Sequence, residues 1–259
     1  MRLSEAFVLL TAGTLGGLLS TVVSIASLVS YPVLLALGVP PLTANMTNTV
    51  SLVLTGPGSV ASSRPELNGQ GARVIRLTAV TALGGVTGAA VLLLAPASSF
   101  TAVAPVLIGG ASVVLFVQPR MTALVPRPGT ADAADPAHGA GGLAHLVALF
   151  LVAVYVGYFG AAAGVLLLVV LSSMIAEPLV KVNAIKNALN GTANFMAAIC
   201  FAIFGSVRWL FVAPLAAGFL IGGWFGPKIA RRVPAGALRA VVSLCGIGLA
   251  VKLGISAYR

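Results

Sequence analysis

Residues 142–176, GLAHLVALFLVAVYVGYFGAAAGVLLLVVLSSMIA, decide the fold of this chain. The stretch is almost entirely apolar, yet it is too long for one straight membrane helix, which crosses a bilayer in about 20 residues. Glycine and serine weaken helices, and both occur in the central and final parts of the stretch. We therefore predict a membrane segment that is broken, or re-entrant, near its weakening residues. These are Gly157, Gly160, Gly164, Ser172 and Ser173.

A second stretch, residues 6–38, has a similar length and character. Interrupted membrane segments at matching positions in the two halves of a chain indicate a transporter binding site. Each stretch therefore marks a candidate site. The interrupting residues of this one are Gly16, Gly17, Ser20, Ser24, Ser27, Ser30 and Pro32.

The composition explains why long apolar stretches dominate. Of 259 residues, 59% are hydrophobic and 8% are charged, and the mean hydropathy is +1.07. A soluble domain carries about 25% charged residues. This chain cannot cover a globule with polar surface, so membrane lipid must be its solvent. We predict an all-α polytopic membrane protein.

The net charge of +10 fits the same class, because basic loops orient membrane proteins against an anionic cytoplasmic leaflet. Nucleic acid is therefore not expected as a partner. Cys200 and Cys245 lie in apolar stretches, so the sequence supports neither a disulfide framework nor a metal site, and it indicates no cofactor. Ser-His-Asp and paired-carboxylate constellations are absent, so we do not expect an enzyme.

Six further stretches are long enough to span a membrane once. Residues 1–17 superficially look like a secretory signal, but Glu5 interrupts them and the apolar character continues, so we expect a retained first segment. Together with the two broken stretches, the chain has about eight membrane segments. The six single spans cover residues 41–63, 73–95, 101–118, 179–204, 209–229 and 234–256.

The two halves of the chain are similar to each other, since Gly17 aligns with Gly157 at a shift of 140 residues. A duplication explains this, and it predicts two homologous four-segment repeats. Cytoplasmic loops of membrane proteins carry an excess of Lys and Arg. Inverted repeats with the N-terminus outside place more of these residues inside than eight simple spans with the N-terminus inside, so we favour the inverted arrangement. The predicted domains are a first repeat at residues 1–118, a flexible polar linker at 119–142 and a second repeat at 143–259.

Polar side chains form a stripe in each half. Four asparagines of the second half recur at intervals of four, three and four residues, which places them on one helix face. The first half repeats the spacing of three and four from Asn48, which aligns with Asn187 at a shift of 139. In a bilayer such groups either hydrogen-bond between helices or line a substrate path, and we favour the path. The residues are Asn183, Asn187, Asn190 and Asn194, and in the first half Asn48, Ser51 and Thr55.

Lys186 adds a positive charge beside the second stripe. A membrane-embedded ammonium is costly and commonly lines a cavity or meets a partner; the alternative is a side chain that reaches the headgroups, as we expect for Lys181. No Asp or Glu lies well inside a predicted span, so we expect a small anionic substrate, held by amides, hydroxyls, one lysine and helix N-termini. The candidate substrate-binding residues are Ser20, Ser24, Asn48, Ser51, Thr55, Gly160, Gly164, Lys186, Asn187, Asn190 and Asn194.

Two glycine clusters, ALGGVTG at 82–88 and FLIGGWFG at 219–226, predict close helix packing. Neither lies in the strand–turn–helix context of a dinucleotide-binding site. The predicted packing residues are Gly84, Gly85, Gly88, Gly222, Gly223 and Gly226.

Two segments resemble signatures of the TauE/SafE sulfite exporter family. They are GGLLSTVVSIASLVSYPVLLALGVPPLTANMTNTVSL at 16–52 and, within 155–194, YVGYFGAAAGVLLLVVL followed by NAIKNALNGTAN. The resemblance covers nearly the whole chain apart from the linker. It implies an inner-membrane permease for sulfite, sulfonates, other sulfur oxyanions or organic acids. It supports Gly157, Gly160, Gly164, Lys186 and Asn187 as motif positions.

The resemblance has two departures, which leave the substrate open. Ser20 and Ser24 stand where the family is often glycine-rich, and Arg208 stands where an acidic residue is common. We expect an exporter of a sulfur oxyanion or organosulfonate that works by alternating access, with a proton or sodium ion as candidate coupling ion. The alternatives are a passive anion channel, an organic-acid transporter and a non-transporting scaffold subunit. A homo-oligomer is compatible with each.

Overall fold

A computed structural model describes residues 2–23, 25–53, 71–123, 140–175, 177–230 and 235–258. All regular secondary structure in these ranges is α-helical, as the composition predicts, and it comprises ten helices. In chain order they are α1 Leu3–Val23, α2 Ser27–Ala36, α3 Pro41–Leu52, α4 Gly71–Leu94, α5 Ala97–Ala123, α6 Ala140–Tyr158, α7 Ala163–Met174, α8 Leu179–Phe204, α9 Trp209–Ala230 and α10 Ala235–Tyr258.

Both long apolar stretches are broken, as predicted. The first is divided into α1 and α2, and the second into α6 and α7. Between α6 and α7 the chain passes through Gly160 at φ +71° and Ala162 at φ 55°, left-handed conformations that end a right-handed helix. Glycine adopts this conformation freely, whereas Ala162 must be held in it by its surroundings. Pro32, one of the predicted interrupting residues, instead lies inside α2, so the first break precedes it.

The predicted single spans correspond to single helices. The bounds of α8 match the prediction, and α4, α5, α9 and α10 begin and end within a few residues of theirs. α3 ends at Leu52, and most of the remainder of the predicted span 41–63 lies outside the described residues. α5 and α6 enter the predicted linker from both sides, and the part between them, residues 124–139, is also outside the described residues.

Four of the described helices are long and apolar enough to cross a membrane. They are α1, α4, α5 and α8, and α2, α6, α7, α9 and α10 supply shorter apolar segments. Large apolar side chains such as Phe7, Phe116 and Trp224 are more than half exposed. Such an outer surface is typical of a protein solvated by lipid.

Helices from the two halves of the chain pack against one another. α1 packs along α9, and α4 packs along both α6 and α8. α3 contacts α8 and α9, and α5 packs along α10. The contacts place α3, from the first half, among helices of the second half.

Glycine permits the closest of these contacts. A Cβ atom at Gly17 would lie 2.5 Å from the carbonyl oxygen of Phe219, and one at Gly85 would lie 2.5 Å from that of Ala193. The helices therefore meet backbone to backbone. The packing prediction is confirmed for Gly84, Gly85, Gly88 and Gly222, and it is wrong for Gly223, where a Cβ atom would meet nothing within 4 Å. The surroundings of Gly226 lie outside the described side chains.

Candidate functional site

α3 has a polar sequence, and most of its polar side chains are buried. Polar groups inside a membrane protein must find partners within the protein or bind a ligand, because lipid offers none. The partners of α3 therefore decide what this helix can do. Its residues Asn45, Thr47, Asn48, Thr49 and Ser51 each expose 3% of their surface or less.

Asn48 joins α3 to α2 through two serines. Its Nδ2 atom donates to Ser27 Oγ at 3.1 Å, and Ser30 Oγ lies 2.5 Å from its Oδ1 atom. Ser30 Oγ also lies 3.0 Å from the carbonyl oxygen of Ala26, so one hydroxyl proton faces two acceptors. The sequence marks this break as a candidate site without assigning a partner to Asn48, and the structure pairs Asn48 with serine hydroxyls. Their three-residue spacing, which puts both on one face of α2, is the signal that could have revealed the pairing.

Two further hydrogen bonds join α3 to the second half of the chain. Asn45 Nδ2 donates to the carbonyl oxygen of Tyr158 at 2.9 Å, where α6 ends. Thr47 Oγ1 accepts the backbone N–H of Arg208 at 3.0 Å, just before α9 begins. The Arg208 guanidinium lies over the ring of Phe211, with its Cζ atom 5.2 Å from the ring centre. α3 is thus bonded both to the α6–α7 break and to the α8–α9 connection.

The other first-half candidates are placed less centrally. Ser51 Oγ donates to the carbonyl oxygen of Thr47 at 2.7 Å, so its hydroxyl is paired within α3. Ser20 is half-buried near the end of α1. Ser24 and Thr55 lie outside the described residues.

Lys186 is the one buried charged side chain in the part of the chain that the structure describes, with 6% of its surface exposed. Lys181, on the same helix, has a side chain that is 43% exposed and pairs with Glu177 at 3.1 Å. The burial of Lys186 favours a cavity or a partner inside the protein over a side chain that reaches the headgroups. Its α8 neighbours Val182, Ile185 and Leu189 belong to an apolar cluster shared with α6 and α7.

The asparagine stripe of α8 lies at the edge of the buried face. Asn187, Asn190 and Asn194 are half-buried, whereas Asn183 is exposed. Asn194 Nδ2 donates to the carbonyl oxygen of Asn190 at 2.9 Å. Asn187 directly follows Lys186 and lies about 100° from it around the helix, at the margin of the buried face, whereas Asn190 lies one turn beyond Lys186 on the same side. Among hydrogen bonds between described residues, none joins these asparagines to the α3 set.

The turn between α6 and α7 is held by two hydrogen bonds. The N–H of Gly160 donates to the carbonyl oxygen of Tyr155 at 2.9 Å, and the Tyr155 hydroxyl donates to the carbonyl oxygen of Ala161 at 2.7 Å. The N–H groups of Ala161 and Ala162 have no backbone acceptor among the described residues. Gly164 lies buried in the first turn of α7. A helix N-terminus of this kind favours an anion, and an anion here remains a prediction.

An apolar cavity of about 190 Å³ lies beside this turn. Five residues of α5 line one side, and Tyr155, Ala161, Ala162 and Leu166 line the other. The cavity lies next to the N-terminus of α7, where the backbone N–H groups of Ala161 and Ala162 are located. It can admit an apolar group, whereas binding of a charged group would depend on the turn itself.

The metal-binding chemistry of the described residues is limited. No group of three or more His, Cys, Asp or Glu side chains among them is arranged to hold a metal ion. Cys200 is half-buried and Cys245 is exposed, and neither is in a disulfide.

Comparison with known proteins assigns the family. A family model described as "Sulfite exporter TauE/SafE" matches residues 9–253, nearly the whole chain. A search of curated proteins found no match, nor did a search of solved structures. The match covers nearly all of the first broken stretch and the whole of the second, together with α3 and α8. The family consists of membrane transporters rather than enzymes, so transport is the activity to be explained. The chain belongs to the TauE/SafE sulfite exporter family.

Proposed function

We propose that this protein is a multi-pass permease of the cell membrane that exports a sulfur oxyanion or an organosulfonate, with sulfite as the simplest case. Family membership supports a sulfite-type substrate. The observation that carries the anionic substrate class is the burial of Lys186 in α8. A membrane protein places an ammonium in its interior where a function requires the charge.

The surroundings of Lys186 suit an oxyanion. The amide of Asn187 follows it directly, and Asn190 lies one turn further along α8, half-buried. A lysine supplies charge without fixed geometry, and amide N–H groups add directional donors to the oxygens. α7 packs against α8, and the backbone donors at the N-terminus of α7 would supplement these groups if the substrate reaches both.

Alternating access between two repeats is the mechanism that we propose. Suppose that each helix of the first half is equivalent to the helix five places later, so that α1 is equivalent to α6 and α4 to α9. The contact between α1 and α9 is then equivalent to the contact between α6 and α4, and the contact between α3 and α9 is equivalent to that between α8 and α4. The contacts between α5 and α10, and between α3 and α8, each join two equivalent helices. This pattern of contacts supports two repeats related by a two-fold axis, as in many secondary transporters.

The experiment is sulfite transport in proteoliposomes by the wild type and by two lysine variants. Lys186→Met keeps the length of the side chain but removes its charge, and we expect transport to fall to background. Lys181→Met is the matched control, because this lysine lies on the same helix and is exposed, and it should transport as the wild type does. Wild-type rates in Lys186→Met would contradict the proposed anion site.

Coupling is tested in the same vesicles. Uphill sulfite movement that depends on an imposed proton or sodium gradient supports a permease and identifies the coupling ion. Movement only down the sulfite gradient, at all imposed ion gradients, would instead support a passive anion channel with the same lining.

A further inference from the structure

Three buried hydroxyl oxygens of the described residues have no hydrogen-bond partner. They belong to Tyr31 in α2, Ser172 in α7 and Ser243 in α10. Burying a hydroxyl without a partner costs free energy, and lipid offers no replacement for the lost water. Each of these groups is therefore a place where a partner absent from the resting fold could bind.

Tyr31 differs from the two serines in what its hydroxyl can reach. A helical serine can rotate its hydroxyl to the carbonyl oxygen one turn earlier, as Ser51 and Ser112 do. A tyrosine hydroxyl stands at the far end of a rigid ring and cannot return to its own helix backbone. Tyr31 is 1% exposed, so bulk solvent does not reach it either. Its hydroxyl can be paired only by a rearrangement, a trapped water or a ligand.

Tyr31 belongs to the first broken stretch, and its ring contacts the second. It packs edge-on against Phe159, with ring centres 5.5 Å apart and planes at 84°. Phe159 directly precedes Gly160, where the α6–α7 turn begins. Along α2, Ser30 directly precedes Tyr31 and Ser27 lies one turn earlier, and both serines contact Asn48. Tyr31 thus connects the polar cluster of the first half with the break of the second.

We propose that the Tyr31 hydroxyl is a further substrate-binding group, which donates a hydrogen bond to an oxygen of the oxyanion as the substrate passes between α2 and the α6–α7 turn. The inference rests on the proposed function and adds a residue to its site. A hydroxyl donating to a charged oxygen forms a strong, charge-assisted bond. Because the donor has no partner in the empty protein, binding need not first break a bond within the fold.

The test uses Tyr31→Phe, which removes the oxygen and keeps the ring that packs against Phe159. We expect the KM for sulfite in proteoliposomes to rise by about tenfold or more, the loss typical of a hydrogen bond to a charged group. The melting temperature of the ligand-free purified protein should stay the same or rise, because an unpaired buried hydroxyl is removed. The stabilisation by added sulfite should shrink. A purely structural tyrosine would not give this combination.

Two control variants fix the interpretation. Ser243→Ala removes another unpaired buried hydroxyl, on α10, and should leave the KM for sulfite unchanged. Tyr155→Phe removes a hydroxyl that is bonded to Ala161, and should lower the melting temperature of the ligand-free protein.

Two outcomes would overturn the inference and leave the proposed function standing. One is a Tyr31→Phe protein with the KM and the sulfite stabilisation of the wild type, which would assign the hydroxyl to a trapped water. The other is a lowered melting temperature without ligand, which would show that the hydroxyl is paired within the fold. If the wild type itself neither transports sulfite nor is stabilised by it, the proposed function fails and this inference fails with it.

Discussion

α3 and α8 occupy equivalent places in the two predicted repeats, but they treat their polar residues differently. Asn48 of α3 is 1% exposed and contacts two serines of α2. Asn187 of α8, its equivalent at a shift of 139 residues, is half-buried beside Lys186. At the shift of 140 that aligns Gly17 with Gly157, Ser27 and Ser30 correspond to Leu167 and Val170, whose side chains cannot hydrogen-bond.

This difference favours different roles for two polar stripes of equal spacing. Interhelical hydrogen bonding and a substrate path are alternatives for both stripes when only the sequence is considered. The bonds of Asn48 favour the first role for α3, and the partly open amides next to a buried lysine favour the second for α8. The following variants test that division.

The largest effect is expected from Asn187→Ala, on transport. Removal of an amide that binds a charged oxygen should lower sulfite transport about 10- to 100-fold. The free energy of unfolding should change by less than about 0.5 kcal/mol, since the side chain is only half-buried. Asn183→Ala, an exposed asparagine on the same helix, is the matched control for the transport assay. A large loss of stability with unchanged transport would reverse the assignment of α8.

Asn48→Ala should act on stability instead. The change leaves Ser27 Oγ without its donor, while Ser30 can still donate to the carbonyl oxygen of Ala26. We expect the free energy of unfolding to fall by about 2 kcal/mol. Thermal unfolding of the purified protein measures this, and transport per folded molecule should fall less than in Asn187→Ala. The opposite ranking of the two variants would remove the distinction between α3 and α8.

Thr47→Val tests whether α3 holds the second half in place. It keeps the shape of the side chain and removes the acceptor for the Arg208 N–H, so we expect a loss of about 1 kcal/mol in the free energy of unfolding. Thr87→Val is the control, since its hydroxyl is exposed and bonds within its own helix. Equal melting temperatures for the two variants would mean that the bond to Arg208 contributes nothing.

The smallest effect is expected from Val170→Ser, which gives α7 the hydroxyl that α2 has at Ser30. If this serine bonds to the Asn187 amide as Ser30 does to Asn48, sulfite transport should fall a few-fold, by about 1 kcal/mol in binding free energy. Val170→Ala separates the new hydroxyl from the loss of volume. Identical transport by the serine and alanine variants would show that the two halves differ by more than this pair of residues.

The helices and breaks could be predicted from the sequence because they depend on local properties. The length of the apolar stretch predicted α8, and the glycines within residues 142–176 predicted the turn at Gly160. The Ser27–Asn48–Ser30 bonds could not be predicted, because a sequence does not state which helices are neighbours. For the same reason the exposure of the asparagine stripe was open: all four asparagines share a face, but Asn183, in the second turn of α8, is exposed, whereas Asn187, Asn190 and Asn194 are half-buried.

The glycine contacts between α1 and α9, and between α4 and α6, limit how a transport cycle can move this molecule. A Cβ atom at Gly17 would lie 2.5 Å from the carbonyl oxygen of Phe219, so the two backbones pack closely there and the paired helices cannot slide past each other freely. Each pair takes one helix from either half of the chain. A rearrangement that keeps these contacts would move α1 together with α9, and α4 together with α6, so that each moving unit would combine helices from both halves of the chain.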